Sequence, residues 1–115
     1  MNPVYKLGID GIEKMDMPNK SKEKSQFLSK MINGALAFNS FANGIDMIVN
    51  DNWIAEYHRD LTGRLMTVFN TETNEFYYFY GTALLVGFER ETGETLPLSK
   101  EQIELIETQF ILMEM

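Results

Sequence analysis

Cysteine is absent from the chain. That excludes a disulfide framework, a thiolate metal site and a cysteine nucleophile, and it is compatible with a reducing compartment. Histidine occurs once, at His58, so a zinc site of the usual His/Cys kind lacks its ligands. No run approaches the roughly 18 apolar residues of a membrane span. The N-terminal MNPVYKLGIDG has no apolar centre of signal-peptide length. The expected location is cytoplasmic. The phosphate-cradling G-x-x-x-x-G-K, the dinucleotide G-x-G-x-x-G and the nucleophile elbow G-x-S-x-G are all missing. The acids of Glu89-Arg90-Glu91-Thr92-Gly93-Glu94 lack the D-x-D-x-D-G spacing of a calcium loop. No cofactor or metal is expected.

Basic residues are scarce in the second part of the chain. Residues 1–69 hold eight acids and eight bases, whereas residues 70–115 hold nine acids and only Arg90 and Lys100, so the whole net charge of −7 lies there. Such a surface repels nucleic acid, whose binding needs cations to displace counterions. It attracts a basic partner and speeds encounter with it; its plainest role is solubility. The string His58-Arg59-Asp60-Leu61 matches the start of a protein-kinase catalytic loop, but the asparagine required five residues past the aspartate is Leu65 here. A lone histidine beside carboxylates and an arginine reads as a solvated residue. As an acid/base group, His58 has no nucleophile or pocket assigned to it by the sequence.

What is present is apolar and β-rich. The stretch Arg64–Phe88, RLMTVFNTETNEFYYFYGTALLVGF, is the densest run of aromatic and β-branched residues, the types that pack on a pleated surface. Thr71-Glu72-Thr73-Asn74 breaks it with turn-forming residues, which predicts an antiparallel hairpin of 65–70 with 75–80. Both faces of that hairpin are apolar, so both are covered or one meets another molecule. Ala83-Leu84-Leu85-Val86-Gly87-Phe88 suits a buried third strand, with a helix over 82–90 as the alternative. Residues 4–12 read as a short strand with a turn. Pro18 ends any strand there, and Asn19 or Ser21 suits a helix cap.

Over residues 20–49, Leu28, Met31, Ala35, Phe38, Ala42, Ile45 and Val49 recur at alternating steps of three and four, which predicts a long helix with one apolar seam. Asn33-Gly34 and Asn43-Gly44 weaken it and allow a break near 43. Residues 53–60 fit a strand, with Trp53, Ala55 and Tyr57 on one face, or a helix, with Trp53, Tyr57, Leu61 and Leu65 aligned. The neighbouring Gly63 and the β-rich segment favour the strand. Ser99 and Gln102 form a capping-box pattern with a Leu98–Ile103 staple, opening a helix over 99–114. Its buried stripe is Ile103, Ile106, Phe110 and Met113, and its carboxylate ridge is Glu101, Glu104 and Glu107. The apolar tail FILMEM must dock on its own sheet or on a partner.

At 115 residues the chain suits one domain able to bury roughly 65% of its unfolded surface. The expected fold is α+β: an antiparallel meander of 53–60, 65–70, 75–80 and 83–90, covered by the long N-terminal helical segment and the C-terminal helix. The first strand adds to an edge. The expected function is a small, acidic, non-enzymatic binding protein. In that reading it is an inhibitor or decoy of the phage-borne type, in which Glu89, Glu91, Glu94, Glu101, Glu104 and Glu107 occupy a basic, nucleic-acid-binding surface of a host or defence protein. The alternative is a structural homo-oligomer that associates through Tyr78, Tyr80, Phe110, Ile111, Leu112 and Met113, with room for a small-molecule pocket between subunits. Neither reading involves direct binding to nucleic acid or membrane.

Overall fold

The computed structural model describes residues 2–42, 44–60 and 63–114. Its elements are β1 (Pro3–Gly8), β2 (Gly11–Asp16), α1 (Ser21–Ile32), β3 (Leu36–Ala42), β4 (Ile45–Asn50), α2 (Trp53–Arg59), β5 (Leu65–Asn70), β6 (Glu75–Tyr80), β7 (Ala83–Phe88), β8 (Thr95–Leu96), α3 (Lys100–Gln109) and β9 (Phe110–Glu114). They form two antiparallel sheets. The larger runs β2-β1-β7-β4-β3, with β8 on β7, and the smaller runs β6-β5-β9. No helix among the described residues is long and apolar enough to cross a membrane.

The large sheet is the middle layer. On one face, Val4, Ile48, Leu84 and Val86 pack with Leu28 and Ile32 of α1 and with Met17. On the other, Leu7, Met47, Val49 and Leu85 meet Met66, Val68 and Phe79 of the small sheet and Ile106 of α3. Alternate side chains of one strand thus enter two separate cores. The rings of Tyr77 and Phe110 lie 4.6 and 4.5 Å from that of Phe41 and join the sheets.

The expected meander under a long N-terminal helix is corrected by this topology: the molecule is mostly β. The helix stops at Ile32 because Asn33 takes the left-handed conformation (φ 60°, ψ 50°) and its N–H caps back onto Ser29 O. Residues 36–42 and 45–50 then pair antiparallel as β3 and β4. The apolar steps of three and four are real, but Ile45, Met47 and Val49 also alternate with Ile48. A strand with every residue buried, as β4 is, carries apolar groups on both faces and gives no period that separates strand from helix. Asn43 of the proposed Asn43-Gly44 break lies outside the described residues; Gly44 has φ +74°. Neither Asn19 nor Ser21 caps α1: its N-cap is Lys20, with no side-chain hydrogen bond.

The hairpin of β5 with β6 forms in the expected register, Leu65 opposite Tyr80 through Asn70 opposite Glu75. The buried Asn70 side chain accepts from Glu72 N and Thr73 N and shapes the turn. Residues 83–88 are a strand, but β7 pairs with β1 and β4 and not with β6. Gly81, at φ +84°, re-aims the chain from one sheet to the other. A strand buried on both faces needs a central place, and only the large sheet has both faces covered. For the same reason β1 is not an edge: it lies between β2 and β7.

Residues 53–59 are the helix α2 rather than a strand. Asn50 Oδ1 accepts from Asn52 N at 2.8 Å and turns the chain out of β4, and Tyr57 lies 5.9 Å from the Tyr80 ring across β6. Leu61 and Thr62, at the expected turn, lie outside the described residues. The capping box forms as expected. The helix over 99–114 is cut short, however: α3 ends at Gln109 and the tail becomes β9, paired with β5 from Phe110–Asn70 to Glu114–Met66. The helical stripe fails because Phe110 and Leu112 alternate inward while Ile111 and Met113 point out. Met115 of FILMEM lies outside the described residues.

Candidate functional site

Three surfaces stand out. The first is a cleft of about 680 Å³ where the β1–β2 turn meets the open end of the small sheet, lined in part by Lys6, Glu13, Asp60, Arg64 and Tyr80. The Tyr80 hydroxyl donates a hydrogen bond to the Asp60 carboxylate, and that bond, with burial and the carboxylate charge, pushes the Tyr80 hydroxyl above the usual phenol range. Gly63 permits this pairing, since a Cβ there would lie 2.6 Å from the Tyr80 ring. Arg64 is paired with Glu114 at 3.0 Å. These residues come from four separate stretches of the chain, and no local pattern marks them in the sequence.

The second surface is acidic. Gln102 Nε2 donates to Gly44 O at 3.1 Å and Phe88 N donates to the same oxygen at 2.9 Å, which ties the start of α3 to the end of β7. This brings Glu89 and Glu91 to the same end of the molecule as Glu101. Glu91, Glu101 and Glu104 are exposed, and Glu89 is half-buried. Three of the six expected acids have internal partners, and the first is Glu89, whose Oε1 accepts from Glu91 N at 3.2 Å. Glu94 pairs with Lys24 at 3.4 Å. Glu107 accepts a 3.0 Å hydrogen bond from Tyr5; burial, and then that bond and charge, raise the Tyr5 hydroxyl to about 12.

The third surface is the outer face of the small sheet. By register, Leu65, Thr67 and Phe69 lie there on β5, flanked by Phe76, Tyr78 and Tyr80 on β6 and by Ile111 and Met113 on β9. The Phe69 and Phe76 rings are 4.6 Å apart and Tyr78 stacks beyond Phe76. Of the six residues expected to self-associate, Tyr78, Ile111 and Met113 are exposed on this face and Tyr80 is half-buried beside α2. Phe110 is buried in the core and Leu112 packs against it. Phe76 and Ile54, exposed at 49% and 56%, belong to the surface and were not singled out by the sequence. The strict alternation of Phe76, Tyr78 and Tyr80 was the signal for Phe76; Ile54 had none, because α2 was read as a strand.

His58 is exposed on α2, with its ring 5.6 Å from that of Tyr57. Among the described residues no group of three or more His, Cys, Asp or Glu side chains is placed to hold a metal ion. Asp46 is buried on the α1 side of the large sheet, and burial raises its carboxyl above the usual range.

Comparison with curated proteins and with solved structures returns no match. A family profile does match, over residues 12–111, from β2 to the first residues of β9. The chain therefore belongs to the family described as domain of unknown function DUF3846.

Proposed function

We propose that this protein is a small non-enzymatic binding module whose acidic end engages a basic surface of a partner protein. In that role its carboxylates stand where the phosphates of a nucleic acid otherwise lie, so that it acts as a decoy or inhibitor. The observation that carries the reading is the pair of hydrogen bonds to Gly44 O, which gathers the acids of the β7–β8 link and the first turn of α3 at one end. Glu91 and Glu101 are its working groups, joined by the exposed Glu104, which shares the Glu101 face of α3 three residues on. Glu94 and Glu107 serve the fold, through Lys24 and Tyr5.

The test is charge reversal with a matched control. The triple variant Glu91→Lys, Glu101→Lys, Glu104→Lys is compared with Asp10→Lys, Glu13→Lys, Glu72→Lys, which has the same net charge but alters other surfaces. The source lysate is applied to each immobilised protein at low and at high salt. The wild type retains a basic, nucleic-acid-binding protein that high salt releases, because exposed charge pairs are screened. The first variant loses that partner by at least about tenfold and the control keeps it. Equal loss in both variants means that net charge alone acts, and the site is abandoned.

A further inference from the structure

The outer face of the small sheet carries no charge at any of its eight outward positions on β5, β6 and β9, on a chain of net charge −7. We propose that a second copy of this chain covers that face, forming a two-fold dimer in which the β6 stripe of each copy packs against the β9 stripe of the other.

Three observations select this occupant. The first is electrostatic. Two copies that meet through the acidic end bring like charges together, whereas a face without charge is its own complement and needs no oppositely charged partner. The second is area. Ile54, Phe76, Tyr78, Ile111 and Met113 are 56, 49, 43, 47 and 37% exposed. With their half-buried neighbours they offer roughly 700 Å², close to the ~800 Å² per partner of a standard stable interface and above the usual largest patch of a monomer. An apolar hollow of about 320 Å³ between α2 and β6, lined by Trp53, Tyr57 and Leu65 among others, opens on the same side and enlarges the contact.

The third is the pattern across the sheet. The aromatic pair Phe76 and Tyr78 stands on one edge strand, the aliphatic and thioether pair Ile111 and Met113 on the other, and Thr67 lies fully buried between them on β5. A two-fold axis running along β5 lays β6 of one copy over β9 of the other. Aromatic rings then meet Ile111 and the polarisable sulfur of Met113, a favourable pairing. An axis across the strands instead lays ring on ring and leaves the bulk mismatched. Both axes keep the facing strands aligned within the ~30° of face-to-face sheets, so the matching of side chains decides between them.

The absence of cysteine makes the arrangement directly readable. Light scattering at about 100 μM is expected to give twice the chain mass, and Phe76→Glu or Ile111→Glu to give monomer with unchanged circular dichroism. The milder Tyr78→Ser weakens the dimer by at least about tenfold. When Tyr78→Cys and Met113→Cys proteins are mixed and oxidised, the mixed disulfide forms faster than either self-disulfide, because only opposed Cβ atoms within disulfide reach can bridge. A wild-type monomer at that concentration overturns the proposal, even if the face then proves to bind a different protein. So does a dimer indifferent to both glutamate variants. Faster self-bridging of Tyr78→Cys overturns the axis. These outcomes are independent of the acidic-end reading, since none of the altered residues lies there.

Discussion

The two sheets differ in what covers them. The large sheet has α1 on one face and the small sheet with α3 on the other, and its central strands β4 and β7 are buried almost throughout. The small sheet gives one face to the core and leaves the other open except beside α2, so β6 alternates between the buried Phe79 and the exposed Phe76 and Tyr78. Their side chains follow suit. The doubly covered strands β4 and β7 are mostly Leu, Val, Ile and Met, with Asp46 and Asn50 as buried polar residues on β4. In the small sheet the aromatic strand is β6, Glu75–Tyr80, whose outward Phe and Tyr rings tolerate partial exposure. Apolar content alone therefore does not separate β7, covered on both faces, from β6, which alternates between buried and exposed residues.

The sharpest way to break this comparison is to remove the same kind of group from each sheet. Leu84→Ala, in the fully buried middle of β7, is expected to cost about 3 kcal/mol in urea unfolding. Phe76→Ser, on the open face, costs about 1 kcal/mol or less when measured on dilute protein. Equal losses mean that the outer face is covered within one chain. Next in size is Gly87→Ala. Gly87 lies where β8 approaches β7, and a Cβ there would sit 2.6 Å from Pro97 O. The clash is with backbone, so the expected loss is about 2 kcal/mol, with a lower melting temperature. An unchanged melting temperature shows that β8 can move off the sheet.

The smallest effect is on pH. Tyr5 lies between the large sheet and α3, and Tyr77 links the small sheet to Phe41 O at 3.0 Å. Both hydroxyls are raised, Tyr5 to about 12 and Tyr77 by burial and then by Glu75. Between the ordinary phenol value of 10 and the raised one, the folded state holds protons that the unfolded state has released. Stability is therefore fully present below pH 10 and falls as pH rises toward 12. Tyr5→Phe removes its share of that slope. A wild-type stability that is flat over this range contradicts the burial of the hydroxyl.

Local signals were legible where the chain makes a feature from its neighbours in sequence. Thr71–Asn74 marked the hairpin turn and Ser99 and Gln102 marked the start of α3, whereas Asn33-Gly34 was read only as weakening a helix expected to break near 43, and the helix ends at Ile32. The acids Glu91 and Glu101 were legible as residues but not as a joined end, because Gly44 ties them together from 58 positions away from Gln102. Of the residues named for self-association, Tyr78, Ile111 and Met113 are exposed, while Phe110 and Leu112 face inward; they were included because the tail was read as helix, which mixes the two faces of a strand.

By itself, then, the sequence determined the β5–β6 register, the capped start of α3, the uneven charge and the absence of thiols. All of these rest on residue type and short spacing. Tertiary structure decided that residues 36–42, 45–50 and 110–114 are strands, that β7 leaves its neighbour in sequence for the centre of another sheet, and that the aromatic stripe of β6 stays largely exposed. Those outcomes depend on which distant segment supplies cover. An apolar run satisfied on both sides reads the same from sequence whether the cover comes from a helix, a sheet or a second chain.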